Sequence, residues 1–264
     1  MSDKNREGKR SARERLQEER ERERSRDKRK RALIVGAAGV AVLGIAAAIG
    51  VAVSSTGSDD EAEGPVVAPT GANGEDSLAI PVGKPAAPSV LTVYEDFRCP
   101  ACAQFERGFR STVHDLERAG RLRAQYHLVT IIDGNLGGRG SLNAANAAAC
   151  AQDAGKFQPY HDVLYDNQPP EQNDAFANKD YLIELAGKVP GLVTDTFRTC
   201  VEDGSHDAWV QKANEAFTSS NRQGTPTVLL NGKDVYSNQQ DPLTPQKLKK
   251  AVEDAAKSAS PTGQ

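Results

Sequence analysis

Apolar positions in this chain fall into three regimes. Residues 1–31 are almost free of them, Ala32–Val53 is an unbroken uncharged run of 22 residues, and globular texture begins at Ser89. Val90–Tyr94 is a short apolar run between Pro88 and Glu95-Asp96, the pattern of a buried strand. Phe105, Phe109, Val113 and Leu116 then recur at helical spacing within Pro100–Ala119, and Arg123–Ile132 predicts a second strand. A glycine-rich loop, Gly134–Gly140, leads into a helix capped by Ser141 and running through Ala144–Cys150. Helical patterns follow near Phe157–Tyr165, Tyr181–Lys188, Val193–Val201 and Asp207–Ser219. Strand texture returns at Thr225–Leu230, Asn231-Gly232 predicts a hairpin into Val235, and Pro245–Ala256 closes as an amphipathic helix. This order predicts an α/β domain over residues 89–258 with a helical insertion at about 140–222.

At about 1.5 Å per residue, Ala32–Val53 can cross a hydrocarbon core of roughly 30 Å. Arg26, Lys28, Arg29, Lys30 and Arg31 abut its start, and Asp59, Asp60, Glu61 and Glu63 follow its end. Positive charge stays inside, so a single-pass anchor with a cytoplasmic N-terminus and an exported domain is expected. A cleaved signal peptide competes through Ala52-Val53-Ser54, but the run exceeds the ~7–15 residues of a signal core. Residues 54–88, rich in Ser, Gly, Pro, Asp and Ala, are expected to be a flexible tether whose Leu78–Val82 could add an edge strand.

The net charge of −3 conceals two unlike parts. Residues 1–31 carry fourteen Lys/Arg against eight Asp/Glu, a balance of +6, which leaves −9 for the rest. The tail cannot build a core and is expected to be a solvated segment that fixes topology. Binding to anionic lipid or RNA is the alternative; the interleaved acids weaken it, and no nucleic-acid partner is expected.

All four cysteines lie on the exported side, where disulfides persist. Cys99-Pro100-Ala101-Cys102 sits between a predicted strand and a predicted helix, which puts Cys99 where unpaired N–H groups stabilise a thiolate. Cys99 is then the attacking thiol and Cys102, one turn on, the resolving one. Pro100 suits the first helical turn, where its missing N–H costs nothing. A zinc half-site would need two more spaced ligands; Cys150 and Cys200 form no knuckle, and His114, His127, His161 and His206 are scattered. No metal or cofactor is expected. The simplest of three connectivities pairs Cys99 with Cys102 and Cys150 with Cys200, the second as a staple contributing about 4 kcal/mol; two buried free thiols are the alternative.

Gly224-Thr225-Pro226-Thr227 places a proline at a strand start, where a cis bond would present the Thr225 backbone to a partner chain. An ordinary trans proline at a strand edge fits the residues as well. Gly137–Gly140 lacks the Lys-Ser/Thr of a phosphate loop, and His161, beside Tyr160 and Asp162, is expected on a helix surface.

Val90–Phe97 running into Cys99-Pro100-Ala101-Cys102, the helical insertion and Gly224–Thr227 together resemble the DsbA-like branch of the thioredoxin superfamily, over about residues 78–257, and most of all its membrane-anchored Gram-positive members. The resemblance implies a thioredoxin fold interrupted by a helical domain and a cis bond at Thr225–Pro226. It assigns Cys99 as attacking thiol, Cys102 as resolving thiol and Thr225-Pro226 as the substrate-facing loop. It also implies exported proteins as substrates and reoxidation by a quinone-linked membrane partner of the DsbB or vitamin K epoxide reductase type. Two positions depart from the pattern. Ala101 stands where many members have His, and Val93 stands six residues before the first Cys, where thioredoxins place a buried acid. An oxidase is the leading expectation; a tethered reductase or isomerase, or a binding module without turnover, are the rivals.

Overall fold

Strands β2 (Ser89–Glu95) and β3 (Leu122–Leu128) run parallel at the centre of a five-stranded sheet, in a computed structural model that describes residues 65–222 and 224–259. Along β2 the side chains of Ser89, Leu91, Val93 and Glu95 are buried while those between are half-buried, the period-two alternation of a strand covered more fully on one face. Strand β1 (Ile80–Gly83) pairs antiparallel with β3, and β4 (Thr227–Leu230) antiparallel with β2 on its other side. Strand β5 (Lys233–Asp234) completes the order β1-β3-β2-β4-β5. Asn231 and Gly232 make the two-residue turn between β4 and β5, both with positive φ, 50° and 82°, as a primed hairpin turn requires.

Helix α1 (Pro100–Arg118) is the crossover between β2 and β3, and buries Cys102, Phe105, Phe109, Val113 and Leu116. The insertion between β3 and β4 holds α2 (Ile131–Leu136), α3 (Gly140–Asp153), α4 (Phe157–Asp166), α5 (Lys179–Ala186), α6 (Asp195–Asp203) and α7 (Asp207–Thr218). Helix α8 (Pro245–Ala259) packs on α1. Every residue of α3 from Gly140 to Ala151 is buried, because its neighbours α4, α6 and α7 surround it. Its run of alanines lets those helices approach closely, and its buried polar side chains are bonded: Ser141 to Asp96, Asn143 to the Ala177 carbonyl and Asn146 to the Val201 carbonyl. A disulfide joins Cys150 on α3 to Cys200 on α6.

Several boundaries differ from the sequence expectations. The second strand stops at Leu128, and Ile131 and Ile132 begin a helix, so the insertion opens nearer residue 131 than 140. Strand β4 begins at Thr227, two residues after Thr225. Ser141 is not the cap of α3: it lies inside the first turn and donates its hydroxyl to Asp96 at 2.7 Å, while Asp133 and Asp174 accept the free N–H groups. The tether is shorter than 54–88. Leu78, Ala79 and Ile80 are buried, the Thr70 N–H donates to Asp153 at 2.7 Å, and Trp209 donates to the Ser77 carbonyl. A polar, glycine-rich stretch hides this docking because its bonds are made by backbone groups. The charged tail 1–31 and the expected anchor 32–53 lie outside the described residues. Among the described residues, no helix is long and apolar enough to cross a membrane.

Candidate active site

Cys99 is the N-cap of α1, with extended backbone angles and Pro100 at the first helical position. Cys99 is 7% exposed and Cys102, one turn further, is 0% exposed, so both are nearly enclosed and Cys99 alone of the two reaches the surface. The Cys99 thiol donates to the carbonyl of Thr225 at 3.4 Å. The Thr225–Pro226 peptide bond is cis. Thr227 Oγ1 donates to the Gly224 carbonyl at 2.7 Å and holds the turn that presents this carbonyl.

The two thiols are electrically unlike. The Cys102 S–H, aided by Thr225 and by the N–H groups of Cys102 and Ala101, holds Cys99 down at about 6 against the opposing effect of burial. Burial pushes Cys102 well above the ordinary thiol range, and the bond to Cys99, its charge and that of Glu95 push the same way. A low-lying thiolate at a helix N-terminus beside a buried partner is the arrangement that thiol–disulfide exchange needs.

Arg98, directly before Cys99, is buried with its guanidinium turned into the insertion. Its Nη1 lies 2.6 Å from Asp133, 3.0 Å from Asp174 and 2.9 Å from the Gly137 carbonyl, and its Nη2 donates to the Glu171 carbonyl at 3.1 Å. Asp96 accepts from Ser141, Ile132 N and Arg98 N, and burial raises it to about 7. Gln168 Nε2 donates to the carbonyls of Phe97 and Cys99 at 2.8 and 2.9 Å. The segment that carries Cys99 is thus keyed to the insertion from three sides. Sequence reasoning missed Arg98 and Gln168, since an Arg in a polar stretch gives no sign that it is buried.

His161 corrects an expectation outright. It is 1% exposed and pairs with the fully buried Glu95, Nε2 to Oε1 at 2.7 Å, instead of lying on a helix surface. The sheet's pleat is the reason: Glu95 is two residues beyond Val93, points to the same face and meets α4 there. Glu106 of α1 lies in the same pocket, raised to about 8 by burial. Glu95, Glu106 and His161 bring possible ligand atoms within 4.8 Å of one another, a set able to hold a metal ion; in Cys150, Cys200 and His206 the sulfurs are tied up in the disulfide.

Beside the thiols runs a groove of about 590 Å³ lined by Ala101, Phe109, Thr225, Pro226, Tyr236 and Leu243. Thr225 and Pro226 line this groove, and Thr225 also accepts from Cys99.

The thioredoxin family model matches residues 76–254. Disulfide bond formation protein D of Bacillus subtilis is 24% identical over 155 residues, which span 58% of this chain and 67% of that protein. A match to the serine/threonine-protein kinase PknE of Mycobacterium tuberculosis spans 27% of the kinase. Among solved structures, the reduced form of the disulfide bond oxidoreductase DsbG of Mycobacterium tuberculosis matches with a TM-score of 0.58 at 31% identity, covering 67% of this chain and 87% of that one. Oxidised DsbA of the same organism matches with a TM-score of 0.54 at 31% identity, covering 69% of this chain and 100% of that one. Extent and identity together place the site just described in a known setting: the chain belongs to the thioredoxin family, among its DsbA-type thiol–disulfide oxidoreductases.

Proposed function

We propose that the protein is an oxidase that donates the Cys99–Cys102 disulfide to cysteines of exported proteins. The observation that carries this is the asymmetric placement of the pair: Cys99 caps α1 and reaches the surface while Cys102 lies wholly buried one turn on, which lowers the first thiol and raises the second. A stabilised Cys99 thiolate favours the reduced enzyme, and a disulfide whose reduced form is stabilised is a strong oxidant. The names of two relatives, DsbA of Mycobacterium tuberculosis and disulfide bond formation protein D of Bacillus subtilis, agree with that direction.

In this reading a substrate thiolate attacks Cys99 Sγ and the bond to Cys102 breaks, leaving a mixed disulfide and a Cys102 sulfur that takes up a proton. A second substrate thiolate then attacks the substrate sulfur of the mixed disulfide and releases Cys99 as the thiolate. The substrate leaves with its disulfide, and its two electrons stay on Cys99 and Cys102. The Thr225-Pro226 edge and its groove hold the substrate backbone by strand addition. A quinone-linked membrane protein of the DsbB or vitamin K epoxide reductase type reoxidises the pair. The domain works outside the cytoplasm, tethered through residues 32–53.

The test is the reduction potential of the pair, titrated with glutathione and read by thiol trapping, with Cys150 and Cys200 intact. A value near −120 mV supports the oxidase, and one near about −270 mV overturns it in favour of a reductase. If Cys99→Ala leaves substrate oxidation intact, the pair does not carry the activity and a binding module is the better reading.

A further inference from the structure

The turn that delivers Cys99 to the start of α1 is clipped from outside by one side chain. Within the turn, the Cys99 N–H donates to the Asp96 carbonyl at 3.0 Å and the Arg98 N–H to Asp96 Oδ1 at 2.8 Å. Both bonds stay inside four residues, as in any turn opened by Asp. The half-buried Gln168 reaches the same turn from 71 and 69 residues further along the chain. Its Nε2 donates to the Phe97 carbonyl at 2.8 Å and to the Cys99 carbonyl at 2.9 Å. The Cys99 carbonyl also accepts from Cys102 N at 3.1 Å and Ala103 N at 3.2 Å, the first bonds of the helix. A side-chain amide has two N–H hydrogens, and both are committed here. Bridging the carbonyls of Phe97 and Cys99 fixes the backbone torsions of Arg98 and Cys99 between them. Those torsions decide where the Cys99 sulfur stands at the N-terminus of α1.

Gln168 is itself held on both sides. The Tyr165 hydroxyl, one turn before it, donates to the Asp96 carbonyl at 3.4 Å, and Arg107 Nη2 donates to the Tyr165 carbonyl. Lys188 Nζ donates to Asn167 Oδ1 at 2.6 Å. Pro169 and Pro170 follow with φ locked by their rings, and the Glu171 carbonyl accepts from Arg98 Nη2 at 3.1 Å. The clip is therefore a stiff arm of the insertion.

We propose that Gln168 is a positioning residue for Cys99, whose two amide hydrogens hold the reduced active-site turn in the shape that favours the Cys99 thiolate. The structure holds both cysteines as free thiols, so the clip belongs to the reduced state. After oxidation the Cys99–Cys102 bond closes the first helical turn covalently and constrains the same torsions, so the clip contributes less there. A contact that stabilises the reduced state more than the oxidised one makes the pair more oxidising. Through Gln168 the insertion sets the redox poise of a motif it does not contain. Loss of the clip lets the sulfur move off the groups that hold Cys99 low: Cys102, Thr225 and the N–H groups of Cys102 and Ala101.

The proposal rests on Cys99 and Cys102 being the redox couple but not on the direction of the chemistry. The reaction to measure is reduction of the Cys99–Cys102 disulfide by two glutathiones, which leave joined as one glutathione disulfide. Gln168→Leu keeps the bulk and removes both donors. Its equilibrium constant for that reduction should fall about three- to tenfold, a move of about 15–30 mV toward reducing values. Gln168→Glu keeps the shape but sets a carboxylate against two carbonyl oxygens, so it should shift the constant at least as far. In both variants the midpoint of Cys99 alkylation against pH should rise. A merely structural role would lower the urea midpoints of oxidised and reduced protein alike and leave the constant and the alkylation midpoint where they are. That pattern overturns the proposal, and Gln168→Glu decides the matter if Gln168→Leu does not fold. A failure of Cys99 and Cys102 to form a disulfide in the unsubstituted protein would instead defeat the redox reading itself, so the two failures are distinct.

Discussion

The sulfur of Cys99 donates to the carbonyl oxygen of Thr225 at 3.4 Å, across 126 residues of chain. The two residues come from opposite sides of the helical insertion, so one hydrogen bond reports that both halves of the thioredoxin unit are correctly closed. It is a bond of the thiol and not of the thiolate, because a carbonyl oxygen repels an anion. Once Cys99 ionises, its support must come from donors: the Cys102 S–H, the Thr225 hydroxyl and the N–H groups of Cys102 and Ala101 at the start of α1.

That division of labour predicts the behaviour of a Cys102→Ala variant. The alkylation rate of Cys99 by iodoacetamide, followed against pH, should show a midpoint at about 6 in the reduced protein. Removing the largest stabilising donor should move the midpoint upward by a unit or more, toward the ordinary cysteine value of about 8.5. A midpoint that does not move would assign the depression to Thr225 and the N–H groups of the helix N-terminus.

The same depression links stability to pH in the reduced protein. Because the folded Cys99 value is lowered, its contribution is fully present above the unfolded value of about 8.5 and is lost as pH falls through about 6. Oxidised protein has no such titration. The stability of reduced over oxidised protein, from urea melts, should therefore increase from pH 6 to pH 8 and turn downward above about 8.5, where Cys102, held protonated by folding, makes the opposite contribution.

What the sequence reveals of this site depends on how local the signal is. The strand–Cys-x-x-Cys–helix order, the Asn231-Gly232 hairpin and the spacing of Phe105, Phe109 and Val113 are local patterns, and each is present in the fold. The burial of Arg98 and His161 is not local. Each is a charged or titratable residue in a polar-looking stretch, and each is buried because a partner lies 35 or 66 residues away in the chain. Glu95 shows the limit well. Its place two residues after Val93 gives its face on the strand, but the histidine it meets comes from the insertion, and no periodicity in either segment announces that meeting.

Arg98 should be a major determinant of stability. Arg98→Ala removes the cation and leaves Asp133 and Asp174 facing each other, along with unpaired carbonyls of Gly137 and Glu171. Breaking a buried pair in this way costs about 3–5 kcal/mol, visible as a lower urea midpoint at unchanged slope. Arg98→Lys should recover little, since a single ammonium cannot span partners met by a guanidinium fork. A loss below about 1 kcal/mol for Arg98→Ala would mean that solvent reaches the cluster.

Replacing Cys150 and Cys200 together with serine should separate stability from chemistry. The loop they close spans 50 residues, for which chain entropy gives about 4 kcal/mol. Neither sulfur touches Cys99 or Cys102, so the double variant should melt earlier and still exchange disulfides at an unchanged rate below its melting temperature. A parallel fall in the exchange rate would show that the α3–α6 link sets the position of the insertion against the active-site loop.

The His161 cluster predicts the opposite pH trend from Cys99, and oxidised protein isolates it because neither active-site cysteine then titrates. Folding raises His161 from 6.5 to about 10, so its stabilisation is fully present below about pH 6.5 and is lost as pH rises through about 10. Glu106, raised from 4.5 to about 8 by burial, acts in the same sense over its own window, since the folded state again holds the proton more tightly. Oxidised protein should therefore lose stability steadily from mildly acidic pH to pH 10. His161→Gln removes the first of these contributions: the gap between unsubstituted and variant protein should be widest below pH 6.5 and shrink toward pH 10. A gap that stays constant across that range would mean that His161 contributes packing against Phe97, Tyr126 and Tyr165, the rings around it, and no charge.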